Sequence, residues 1–139
     1  MAESDRQSVL RRAVEACALG QADVLPELFT KNVSGWSPNM LVSSLEELTE
    51  EVDEREAAFS DVSLEVDALD VFGNKGVMEY RLTAVFSGQF VVDDEHVVEP
   101  NGRELMIGGA LVAEFTDGKI SAFRNYFDDA TLMEQMLAE

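Results

Sequence analysis

Apolar residues recur at helical spacing through the first third of the chain and at every second position through most of the rest. Val9, Leu10, Ala13, Val14 and Cys17 form one helical stripe, and Ser4 with Gln7 three residues on is a capping-box signature, so the pattern predicts a helix of about four turns ending at Gly20. A shorter second helix is expected with Asp23 as N-cap, Pro26 in the first turn where its missing N–H costs little, and Val24, Leu25, Leu28 and Phe29 facing inward. Lys31 to Ser37 reads as a short strand that Pro38-Asn39 ends and Gly35 weakens. Ser44 with Glu47 repeats the capping box, and Leu45, Leu48 and Val52 carry a third helix to about Phe59.

From Val62 the period changes to two. Val62, Leu64 and Val66 alternate with polar residues, and the phase then slips to Leu69 and Val71, which predicts a bulge near Ala68. Gly73 to Gly76 turns the chain into a long strand from Val77 to Phe90, expected to bend at Ser87-Gly88. Asp93 to Gly102 is a polar connection closed by Pro100-Asn101-Gly102, and Arg103 to Phe115 is the next strand. Asp117-Gly118 between two apolar runs is a hairpin signal, leading into a strand from Ile120 to Phe127 and a helix that opens at Asp128 or Asp129. The order α, α, β, α, β, β, β, β, α is an α+β pattern, and with no linker or internal repeat it reads as one domain over 1–139.

Composition narrows the partners. The net charge of −18, from 28 acidic and 10 basic side chains, repels phosphate backbones and anionic membranes, so neither nucleic acid nor membrane is expected as a partner. Much of the excess lies at Glu46, Glu47, Glu50, Glu51, Asp53, Glu54 and Glu56 on the third helix, either a solvated face or a docking site for a basic partner. No run reaches the length of a membrane span, and Met1 to Asp5 lacks the basic and apolar regions of a signal peptide, so a cytoplasmic location is expected. Cys17, the one cysteine, sits on the apolar stripe and reads as a buried small hydrophobe rather than a nucleophile. His96 lies among Asp93, Asp94, Glu95 and Glu99, but no His/Cys ligand spacing supports a metal, and no cofactor is implied.

The stretch Phe115 to Gln135, FTDGKISAFRNYFDDATLMEQ, resembles the segment that closes the SnoaL-like branch of the nuclear transport factor 2-like superfamily. The element order matches along essentially the whole chain. The resemblance implies a cone in which a strongly curved sheet wraps around helices and leaves a pocket at its open end, commonly in a homodimer. Members include polyketide cyclases, ketosteroid isomerases and epoxide hydrolases, besides domains that only bind or dimerise, so fold alone does not give activity.

Each enzymatic branch can be carried over residue by residue. The isomerase Tyr and two Asp positions fall at Ala13, Ser37 and Leu111, which removes that chemistry. The His and Asp of the cyclases fall at Leu111 and Asn125; Asn cannot titrate, but its amide can donate a hydrogen bond to a carbonyl or enolate oxygen. The carboxylates and Arg of the epoxide hydrolases find partial counterparts in Glu79, Arg81, Arg124 and Asp128, for which a cross-strand ion pair and a helix N-cap are the plainer accounts.

Alternation puts Phe123, Asn125 and Phe127 on one face of the last strand, with Ile107, Gly109, Leu111 and Ala113 of its neighbour facing the same interior. The expected site is an apolar pocket for a small molecule, lined by Trp36, Phe59, Gly109, Leu111, Phe123, Asn125 and Phe127. Asn125 and Asp128 are its candidate catalytic residues. A non-catalytic carrier domain, or a self-association domain using Tyr80, Tyr126, Arg81 and Arg124 on the outer face, is the alternative.

Overall fold

The computed structural model describes residues 4–139. Helix α1 (Asp5–Leu19) starts with the full capping box, Ser4 Oγ accepting from Gln7 N–H and the Gln7 side chain accepting from Ser4 N–H, and stops at Gly20 in the left-handed conformation, φ 72°. The next segment differs from expectation. Ala22–Val24 is a 3-10 turn and only Leu25–Leu28 is α-helical (α2), so Asp23 lies inside the 3-10 turn and caps nothing through its side chain, while Phe29 already belongs to the first strand. Pro26 does sit in the first turn of α2, where its lost donor is harmless. Helix α3 (Leu45–Ala58) is capped by Ser44 Oγ, but Glu47 turns its carboxylate to Ser43, whose N–H and Oγ donate to it at 2.7 and 2.8 Å, in place of closing the box on Ser44.

The strands are β1 (Phe29–Ser37), β2 (Met40–Val42), β3 (Phe59–Phe72), β4 (Lys75–Phe86), β5 (Phe90–Val91), β6 (Val97–Val98), β7 (Glu104–Thr116) and β8 (Lys119–Phe127), followed by helix α4 (Asp129–Leu137). Six of them form one sheet in the order β2-β1-β8-β7-β4-β3, antiparallel throughout except where β1 runs parallel to β8. The slip near Ala68 is a register shift between Val66 and Ala68, and a second shift lies between Ser60 and Ser63, where Asp61 takes φ 51°. Bulges of this kind increase local twist and help the sheet to curve over the helices.

The strand expected from Val77 to Phe90 is broken rather than bent. Ser87 and Gly88 both donate their N–H to the Ala58 carbonyl, and a Cβ at Gly88 would lie 1.9 Å from the Ala57 oxygen. The chain is drawn against the α3–β3 junction there, so β5 leaves the main sheet and pairs with β6 as a separate hairpin. The larger core lies between α1, α2, α3 and the sheet, centred on Leu10, Leu25, Leu28, Leu48, Met78 and Ile120. A smaller cluster around Phe86, Phe90, Leu105, Leu132 and Met136 seats α4. Gln135 fastens α4 further by exchanging two hydrogen bonds with the Met106 backbone, at 2.8 and 2.9 Å.

Candidate ligand cavity

The concave face of the sheet and helices α1 and α3 enclose a cavity of about 200 Å³, walled mainly by apolar side chains, with Leu132 of α4 at its border. A space of this size holds several waters or one small molecule, and it is smaller than the pockets of about 300–1,000 Å³ that take drug-sized ligands. Its sheet-side wall follows the period of two. On β4 the residues Tyr80, Leu82 and Ala84 face in while Glu79 and Arg81 face out, and on β8 Phe123, Asn125 and Phe127 face in.

Two of these inward residues form the polar centre. Tyr80 Oη donates to Asn125 Oδ1 at 2.7 Å. The bond spans three strands: Tyr80 is opposite Gly109 on β7, and Asn125 is opposite Leu111 on the same strand. Gly109 makes it possible, because a Cβ there would stand 2.5 Å from the phenol oxygen and 2.9 Å from the Tyr126 carbonyl oxygen. The missing side chain therefore leaves room for Tyr80, not directly for a ligand. With Oδ1 engaged by the phenol, the Asn125 amide nitrogen is oriented as the remaining donor, and no hydrogen bond engages it among the described residues.

The dyad is neutral at ordinary pH. Burial pushes the Tyr80 hydroxyl above its usual range, and the hydrogen bond to Asn125 opposes this only in part. Cys17, which lines the cavity from α1, is pushed up to about 12 by desolvation despite the opposing field of Arg55. It remains a thiol, as its place on the apolar stripe suggested. Neither Tyr80 nor Asn125 bonds to a carboxylate or an imidazole among the described residues, so the arrangement can orient and polarise an oxygen but holds no partner ready to take a proton.

Charge enters the lining from α3, at Glu51, Arg55 and Glu56. Arg55, the one basic residue of α3, donates through Nη2 to the Asn39 carbonyl at 3.1 Å and to Asn39 Oδ1 at 2.9 Å, and it lies 3.5 Å from Glu51. Asn39 Nδ2 in turn donates to Asp129 Oδ1 at 3.4 Å. Asn39, Glu51, Arg55 and Phe90 border both the apolar cavity and an adjoining depression of about 260 Å³, whose other walls include Glu54, Asp93, Asp94 and Asp129.

Of the residues expected at the site, Phe59, Leu111, Phe123, Asn125 and Phe127 line the cavity, as do Ala13 and Ser37. Trp36 does not. It lies on the outer face, 41% exposed, with its ring centroid 5.3 Å from that of Tyr126, because β1 presents Gly35 inward and Trp36 outward. Asp128 is also outside: it is exposed and caps α4, accepting from Thr131 N–H at 3.1 Å and Thr131 Oγ1 at 2.7 Å, bonds that hold its carboxyl below the usual range. Arg81 is bound by Asp67 and Glu65 across the strand pair on the outer face, and Arg124 lies 3.5 Å from Glu114, which leaves no hydrolase-like cluster with Glu79. His96 sits 2.7 Å from Asp93 on the surface, and no group of three or more potential metal ligands occurs among the described residues.

Tyr80 was misplaced by sequence. It was grouped with Arg81 on the outer face, yet adjacent strand residues point oppositely, and the run Met78, Tyr80, Leu82, Ala84 against Glu79, Arg81, Thr83 carries the signal that places it inside. Asn39, Glu51 and Arg55 were not singled out for the mouth, and the only local sign was one Arg on a helix otherwise rich in acid.

Comparison with known proteins agrees with this geometry. A family model described as SnoaL-like polyketide cyclase matches residues 7–136. Among solved structures, a SnoaL-like protein from Jannaschia sp. CCS1 superposes with a TM-score of 0.85 at 19% identity, covering 100% of this chain and 99% of that one. TsrD from Streptomyces laurentii gives 0.82 at 18% identity, with 100% and 99% covered. An LEH-like epoxide hydrolase from M. tuberculosis gives 0.72 at 10% identity, with 96% and 90% covered. At these identities the structural matches establish the nuclear transport factor 2-like cone and no more. A search of curated proteins gives no match to the sequence.

Proposed function

Because the chain belongs to the SnoaL-like polyketide cyclase family, we propose that it binds a small, largely apolar molecule in the α+β cone and holds one of its oxygens against the Tyr80–Asn125 pair. The observation that carries this is the 2.7 Å bond between Tyr80 Oη and Asn125 Oδ1 inside a mainly apolar cavity. Buried polar groups are normally paired, and a pair that still presents an amide donor to an apolar space is the kind of feature that orients a ligand carbonyl. In a cyclase-type reaction Asn125 Nδ2 would stabilise a developing enolate as a neutral donor, the role open to a side chain that cannot titrate. Proton transfer would then fall to water or to the ligand itself, since Asp128 points into solvent as a helix cap. A cytoplasmic location is part of this reading, supported by the lone unpaired thiol of Cys17, which suits a reducing compartment.

The test is titration with a neutral medium-chain ketone, followed by calorimetry and native mass spectrometry. The ketone should bind with one molecule per chain, and Asn125→Leu should weaken binding about tenfold, the loss of one buried hydrogen bond. Unchanged affinity in a folded Asn125→Leu protein removes the dyad from the site.

A second reading, self-association, rests on the outer face of the sheet. Trp36 and Tyr126 pack there with their rings tilted by 54°, beside Leu41, which is 78% exposed, and Met106 is 58% exposed. Both arginines of this face are held by acids of the same chain, Arg81 by Glu65 and Asp67 and Arg124 by Glu114, which lowers the repulsion that a second copy of this acidic protein would meet. Sedimentation equilibrium at tens of micromolar should show a homodimer; a monomer there refutes it.

A further inference from the structure

We propose that the β5–β6 hairpin is a hinged cover over the cavity, latched by Phe90, and that a ligand enters and leaves by its outward swing; this rests on the cavity being the ligand site. Phe90 is 7% exposed and borders both the cavity and the depression outside it, so its side chain is part of the boundary between them. Its ring centroid lies 5.9 Å from that of Phe59, and Val98, its partner across the hairpin, packs partly buried against the same apolar cluster. Packing is what holds the hairpin down. Among the described residues, the hydrogen bonds and ion pairs of residues 89–99 all stay within the hairpin. Gln89 Nε2 donates to Glu99 Oε1 at 2.8 Å, Val92 N–H donates to the His96 carbonyl at 2.9 Å, and the Asp93 carboxylate accepts from the Glu95 and His96 N–H groups at 2.8 and 2.9 Å.

The neck of the hairpin is fixed by contrast. Ser87 and Gly88 are bound to the Ala58 carbonyl, Gly102 N–H donates to the Phe86 carbonyl at 2.9 Å, and Phe86 N–H donates to that of Arg103 at 2.9 Å. Asn101 Nδ2 donates to the carbonyls of Gln135, Met136 and Ala138 at 2.9, 3.2 and 2.9 Å, which ties the neck to the end of α4. Beyond it stand strands of only two residues each, with Val91, Val92 and Val97 about half exposed. A two-stranded hairpin has little stability of its own, and segments with few buried apolar contacts open first. The depression of about 260 Å³ is walled by residues of the hairpin tip together with residues of α3 and α4, so the tip is not packed against the helices there. Asp93 and Asp94 share that space with Glu51, Glu54 and Asp129 against the single base Arg55, and the excess of like charge opposes closer approach. A fixed neck, a tip held together internally and one buried aromatic latch are the parts of a swinging cover.

The test uses benzene, which a dry apolar cavity of about 150 Å³ can hold and which makes no demand on Asn125. Its entry and exit rates are measured by NMR exchange on wild type, Phe90→Ala and Leu82→Ala, with amide hydrogen exchange alongside. A gate limits passage in both directions, so Phe90→Ala should raise the entry and exit rates together, each by about tenfold, as the open fraction grows. Leu82→Ala enlarges the same cavity from β4 and should change the exit rate, leaving entry within about twofold. The amides of Val92 and His96 should exchange through an opening that leaves those of Phe86 and Leu105 protected. Should Phe90→Ala fail to fold, Val98→Ala weakens the same attachment more mildly and should shift both rates in the same direction. Unchanged entry in a folded Phe90→Ala protein, or an equal rise in Leu82→Ala, overturns the gate while leaving the cavity as the binding site. Hairpin amides that exchange only with the whole molecule overturn it too. Failure of benzene to bind any of the proteins removes the cavity assignment, and the gate with it.

Discussion

The Tyr80–Asn125 bond can be weighed by a double-mutant cycle of Tyr80→Phe, Asn125→Leu and the pair. Tyr80→Phe deletes one oxygen and leaves Asn125 Oδ1 without its phenol donor. A cavity of about 200 Å³ can admit a water to that oxygen, so the cost should fall near the low end of the range for a broken buried hydrogen bond, about 1 kcal/mol. Asn125→Leu leaves the phenol unpaired in a tighter place, against Gly109 and 5% exposed, and should cost about 1–2 kcal/mol. The double variant removes both ends, so its cost should be smaller than the sum by about 1 kcal/mol. Unfolding entropy of about 2.1 cal/mol/K per residue over 139 residues makes each kcal/mol worth about 3 °C in Tm. Urea denaturation of the four proteins, with the ketone titration run alongside, gives both readouts. If the two single costs add to within about 0.3 kcal/mol, the residues are uncoupled and the dyad is only a coincidence of position.

Three further expectations follow from the same geometry. Gly109→Ala drives a methyl against the Tyr80 hydroxyl and the unyielding Tyr126 carbonyl, and should cost about 1–3 kcal/mol while also weakening ketone binding; a variant as stable as wild type in thermal denaturation shows that β7 has slack. Asp128→Ala removes the N-cap of α4 and should lower Tm without changing ketone affinity, whereas a lost affinity at unchanged stability would restore Asp128 to the site. For Cys17 the thiol ionises near 9 when unfolded and near 12 when folded, so the unfolded chain gives up its proton first and stability falls as pH rises through that window; it is fully present below 9. Cys17→Ala should flatten the decline in urea midpoint between pH 9 and 11, and an unchanged slope assigns the decline to other groups.

Local chemistry is what the chain displays most openly. Ser4, Ser44, Asp128 and Gly20 act within one helical turn, so a few neighbours suffice to place them, and the bulge near Ala68 shows as a slip in alternation. Contacts between distant segments are hidden. Nothing near Ser87 reveals that the Ala58 carbonyl will capture its N–H, and nothing in Lys31 to Ser37 reveals parallel pairing with β8. Gly35, which weakens that strand on propensity alone, is required there because a Cβ would lie 2.1 Å from the Phe123 ring. Half of the candidate site was therefore readable: the inward set of β8 and β7 follows from period, while Tyr80 was available from the same rule on β4 and was missed. The mouth was not, since Asn39, Arg55 and Asp129 come from three elements that only the folded chain brings together.

The distribution of charge bears on whether the site does chemistry at all. Moving a proton needs a titratable group at the cavity, and Ala13, Ser37 and Leu111, where the sequence resemblance would put such groups, line it with side chains that do not titrate. Ionisable residues are instead displaced to the rim, where Glu51 is spent on Arg55, and to the outer face, where Arg81 is held by Glu65 and Asp67. A carbonyl held by Asn125 would be polarised in a medium of low dielectric, which strengthens the hydrogen bond and so favours any reaction that builds negative charge on that oxygen. With no carboxylate or imidazole bonded to the dyad among the described residues, that advantage falls to a reaction whose proton is moved by water or by a ligand carrying its own donor and acceptor, as in an intramolecular ring closure. A binding measurement with an inert ketone and a turnover measurement with a self-condensing diketone therefore separate the carrier from the cyclase: the carrier binds both and changes neither, while the cyclase accelerates only the second and loses that acceleration in Asn125→Leu.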